Sequence, residues 1–149
     1  MGYIIKQGEY EKNVKIPEGE QKINDVLPII QKEYALLQIF PGGVLVDSAT
    51  NRIPKLPTVS ITSRYTTDKS WDEIENFYRE EALRNGWVLN RGNTYKPWDQ
   101  DRWSRTLVFD KGEYKLYISN LPKDEHVFFV DVGLKYPASK NEASPKQGH

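Results

Sequence analysis

The chain has no cysteine. Disulfides, thiolate nucleophiles and cysteine-ligated zinc are therefore excluded. Histidine is nearly as scarce: of two, one is the last residue and the other is His126. A histidine zinc site is excluded within the fold, and His126, just before a hydrophobic stretch, reads as a surface or structural residue. Charge of one sign is also missing, since 21 Lys and Arg balance 21 Asp and Glu. Nucleic-acid binding draws on clustered positive charge, and the net charge of zero offers none. No apolar run approaches the ~18 residues of a membrane span.

What remains fits one folded unit. A chain of 149 residues suits a single domain. At 12% aromatic residues, with nine Tyr and four Trp, it has the core formers that a disordered chain lacks. A core of this size needs no disulfide, so the compartment stays open.

Residues 1–22 are mostly polar and read as an arm. Ile23, Val26, Leu27, Ile30, Tyr34 and Leu37 then recur at helical spacing. A helix over 25–38 follows, with Pro28 in its first turn and Phe40-Pro41-Gly42-Gly43 as its stop. Val44-Leu45-Val46 suggests a short strand, and 47–57 a loop with Pro54 and Pro57. In 58–67, Val59, Ile61, Ser63 and Tyr65 alternate with polar residues, the pattern of a one-sided strand.

The clearest segment comes next. Ser70-Trp71-Asp72-Glu73 forms a capping box, with two acids facing the positive helix end. Trp71, Ile74, Phe77, Tyr78 and Ala82 lie within an arc of roughly 140° on a helix over 71–85. Glu81 falls inside that arc as a misfit, Leu83 falls outside it, and Asn85-Gly86 supplies the stop. Strands are expected at 87–89, 103–109, 114–118 and 127–136, with a tight hairpin at Asp110-Lys111-Gly112. On the last strand Phe128, Val130, Val132, Leu134 and Tyr136 face one way.

This order predicts an α+β fold. An antiparallel sheet of about five strands, in strand–helix–meander order, carries one long amphipathic helix and a shorter N-terminal helix on one face. The domain spans 23–137, and 138–149 is a small polar tail expected to be disordered.

No catalytic, metal or cofactor signature stands out. Asp99 and Asp101 begin like a calcium loop, but Trp103 and Arg105 occupy the next ligand positions. Gly42-Gly43 is followed by no Lys-Ser/Thr, so a phosphate loop is not indicated. The residues point to no small-molecule ligand and to no enzyme. The functional candidate is the 91–105 connection, where Tyr95, Trp98 and Trp103 stand among Asp99, Asp101, Arg102 and Arg105. Trp, Tyr and Arg dominate binding hot spots. The alternative is that Trp98 and Trp103 only cover one end of the core.

The run Tyr65-x-Thr67-x-x-Ser70-Trp71-x-x-Ile74-x-x-Phe77-Tyr78, then Leu83-x-x-Gly86-Trp87, resembles small bacterial cell-envelope domains. These are lipoprotein-like or membrane-anchored and mostly of unassigned function. The resemblance implies a strand leading to a helix that ends in Gly-Trp, and it carries no catalytic residue. It lies in core positions, and the chain has no lipobox cysteine. The expectation is a bacterial protein-binding module, in concrete form an immunity protein docking on a toxin. The alternative is the soluble domain of an envelope-anchored structural or assembly protein.

Overall fold

A computed structural model describes residues 18–94, 105–121 and 124–134. Two helices and six strands follow in the order α1 (Glu18–Leu36), β1 (Val44–Ile53), β2 (Thr58–Thr66), α2 (Trp71–Arg84), β3 (Val88–Leu89), β4 (Thr106–Lys111), β5 (Tyr114–Leu121) and β6 (Asp124–Leu134). The strands form one antiparallel sheet in the order β1-β2-β6-β5-β4-β3. β3 to β6 are the expected meander, and β2 returns to pair with β6.

α2 is built as its residues dictate. The Ser70 side chain accepts from the Glu73 backbone N–H, and the Glu73 carboxylate accepts from the Ser70 N–H. At the other end the Gly86 N–H bonds to the Leu83 carbonyl and the Trp87 N–H to the Ala82 carbonyl. This is a Schellman motif, and it needs the left-handed φ of +89° at Gly86. Trp71, Ile74, Tyr78 and Ala82 are buried and Phe77 is half-buried. Each large side chain so buried contributes roughly 1.5–3 kcal/mol.

α1 differs from expectation. It begins at Glu18, so residues 18–22 belong to the helix and not to an arm. It is the longer helix, with 19 residues against 14. Pro28 stands inside it rather than in its first turn. Pro28 offers no N–H to the Asn24 carbonyl, but both residues are exposed, so water can serve that carbonyl. Burial of Ile23, Val26 and Ile30 holds the helix across the gap. Gly19 comes so close to Pro54 that a Cβ there would lie 1.8 Å from its carbonyl oxygen.

β1 also exceeds expectation. It runs for ten residues through 47–53, which looked like loop, and adds a sixth strand. Side chains from β2 hold it: Ser48 to Ser63 at 3.0 Å, Asn51 to Thr62 at 3.1 Å and Asp47 to Arg64 at 2.8 Å. A bulge between Leu45 and Asp47 shifts its register.

Alternate residues of the sheet meet both helices in one core. Val59 and Ile61, Leu107 and Phe109, Leu116 and Ile118, and Val130 and Val132 are all buried there. Phe128 lies at its centre, stacked on Tyr65 at 5.1 Å and edge-on to Phe40 at 5.8 Å. No helix among the described residues is long and apolar enough to cross a membrane.

Candidate functional site

Of the residues singled out in the 91–105 connection, Tyr95, Trp98, Asp99, Asp101, Arg102 and Trp103 lie outside the described residues. So do the 1–17 arm, Tyr136 and the 138–149 tail. Arg105 is described: its N–H donates to the Asn120 Oδ1 at 2.7 Å, and its carbonyl accepts from the Asn120 N–H at 3.2 Å. At the other end, the Thr94 hydroxyl accepts from the Val108 N–H at 2.9 Å and lies 3.3 Å from the Val108 carbonyl. Thr94 is thus tied to β4 at Val108, and Arg105 to β5 at Asn120.

His126 is exposed on β6, its N–H donating to the Asp124 carboxylate at 3.0 Å. Among the described residues no three His, Asp or Glu side chains cluster as metal ligands.

The structure brings together a set of residues that the sequence did not single out. Where the end of α1 meets α2, β2 and β6, a half-open cleft of about 160 Å³ is lined by Tyr34, Leu37, Ile39, Tyr65, Tyr78 and Val130. Three phenols reach it from three elements. The Tyr34 hydroxyl bonds to the Ser63 hydroxyl and lies 3.2 Å from the Tyr65 hydroxyl. Ser63 in turn bonds to Ser48 at 3.0 Å. The Tyr78 oxygen accepts from the Phe40 N–H at 3.3 Å.

Burial pushes the Tyr65 phenol above its ordinary range, with the Tyr34 hydroxyl adding to the shift. Burial also raises Tyr78, and the Glu81 carboxylate adds to that in smaller measure. Neither phenol ionises near neutrality, so the cleft presents neutral hydroxyls. The only sequence signal was that Tyr34, Tyr65 and Tyr78 stand in inward-facing stripes, which carry a hydroxyl into an apolar interior.

Glu81, the misfit of the apolar arc, is 1% exposed beside this cleft. Its Oε2 accepts from the Gln38 N–H at 2.8 Å and from the Asn85 amide at 3.0 Å, while Oε1 pairs with Arg84. It ties the chain leaving α1 to α2.

The remaining feature is β1. All ten of its residues are exposed, including Val44, Leu45, Val46 and Ile53. Among the described residues no strand pairs with its outer edge. No protein-family model, no curated protein and no solved structure matches the chain.

Proposed function

We propose that this chain is a non-enzymatic protein-binding module, in its concrete form an immunity-type protein that neutralises a toxin by docking on it. The observation that carries the reading is β1, a ten-residue edge strand with four large apolar side chains in solvent. An unpaired edge offers a row of backbone donors and acceptors, and an extended segment of a partner can add to it as a further strand. Apolar side chains left exposed along such an edge mark an interaction surface. The 91–105 connection is the second candidate for the same function, since Trp98 and Arg102 are hot-spot residue types.

One titration separates the two faces. The product of the neighbouring gene is titrated into the wild-type chain, a Val44→Lys, Val46→Lys variant and a Trp98→Ala, Arg102→Ala variant. Lysines on the exposed edge should leave stability within about 0.5 kcal/mol. They should weaken binding at least ~10-fold, about 1.4 kcal/mol. Unchanged affinity in the lysine variant removes β1 from the interface. Loss of binding only in the Trp98, Arg102 variant moves the interface to the connection.

A further inference from the structure

The cleft between the end of α1, α2 and the sheet contains a polar group with unused capacity. Tyr78 is 1% exposed, and its oxygen accepts from the Phe40 N–H. Among the described residues nothing accepts the proton of its own hydroxyl, which lies in the wall of the cleft. A buried donor left unmade costs free energy, so the site favours an acceptor placed there.

The other hydroxyls near the cleft are engaged with one another: Tyr34 with Ser63 and Tyr65, and Ser63 with Ser48. Leu37, Ile39 and Val130 add apolar lining to the same cleft.

Size narrows the occupant. A cavity of about 150 Å³ holds a benzene ring, and this cleft measures about 160 Å³. Because it is half-open, with Ala35, Gln38 and Ile39 exposed at its rim, a substituent can project and the ligand can enter without unfolding.

From these features we infer that the cleft is a binding site for a ring-sized organic molecule whose polar group accepts a hydrogen bond from Tyr78, as a carboxamide oxygen does. It is a site separate from the β1 edge, and it stands whether or not a protein docks there.

The test is an NMR titration of the full chain with two probes of similar size: benzamide and ethylbenzene. Signals of Ala35, Ile39 and Val130 report the cleft. Benzamide should shift them saturably. Tyr78→Phe should weaken benzamide roughly three- to tenfold and leave ethylbenzene unchanged. Tyr78→Phe also removes the acceptor for the Phe40 N–H and can disturb the fold. Ala35→Trp at the exposed rim therefore serves as the second variant. It should abolish benzamide binding with the unfolding midpoint unchanged. The inference is overturned if benzamide gives no saturable shift, if a folded Tyr78→Phe binds benzamide like wild type, or if Ala35→Trp does.

Discussion

Glu81 is a carboxylate at the bottom of an apolar stripe, and its burial makes sense only through its partners. A charge taken out of water must be paired and hydrogen-bonded. Here the Gln38 N–H, the Asn85 amide and Arg84 meet both oxygens. Glu81→Leu keeps the volume but leaves the Gln38 N–H unsatisfied, and should cost about 2–4 kcal/mol. Glu81→Gln keeps an acceptor oxygen and should cost about 1 kcal/mol. Urea unfolding at neutral pH checks both. A neutral Glu81→Leu would mean that the carboxylate does not hold the end of α1. The sequence marked Glu81 as a misfit but could not say why it is there. Its decisive partner, Gln38, is 43 positions away, and no spacing rule reaches that far.

At the scale of elements, β2 and β6 meet closely at Gly133. Gly133 faces Ser60, and a Cβ on it would come within 2.5 Å of the Ser60 Cβ and the Val59 carbonyl oxygen. Both obstacles are fixed to a central strand, so neither can move without opening the ladder. Gly133→Ala should therefore cost about 3 kcal/mol or more. Gly112→Ala is the control. That turn residue has φ +63° and open space around it, so only backbone strain counts, about 1 kcal/mol. Thermal unfolding of the two variants should rank them in that order. Equal costs would show that the β2–β6 joint yields. The same distinction between local and distant causes explains what could be read from the chain. α2 was legible because Ser70, Glu73 and Gly86 fix its ends within a few residues. The meander was legible from alternation and the Gly112 turn. The length of β1 was not, because Asp47-Ser48-Ala49-Thr50-Asn51 has little strand preference and is held by Ser63, Thr62 and Arg64 across the ladder. The tyrosine cleft needs three elements docked together, so its residues read only as core. Of the connection proposed as a binding face, Thr94 and Arg105 are held by Val108 and Asn120, partners 14 and 15 positions away that no local pattern indicates.

For the whole molecule, the same buried phenols set how stability responds to alkali. Tyr65 and Tyr78 both have folded-state pKa values above the ordinary tyrosine value, chiefly because burial disfavours the phenolate. In the unfolded chain they titrate near the ordinary value of about 10. Below that pH both states hold the proton, and the stability from burying the phenols is fully present. Above it the unfolded state releases protons that the folded state retains. Stability then falls as pH rises, by up to about 1.4 kcal/mol per pH unit for each such phenol. Other groups respond to alkali over the same range, so the wild-type curve alone is not diagnostic. The difference between wild type and Tyr78→Phe is. The variant lacks one of the two phenols and is otherwise the same chain. Its urea midpoint should fall less steeply than that of wild type between about pH 9.5 and about pH 11. The folded protein should also show less tyrosinate absorbance than its unfolded form in that range. Parallel curves for the two proteins would mean that Tyr78 ionises in place, and that its hydroxyl is reached by water rather than held in a closed wall of the cleft.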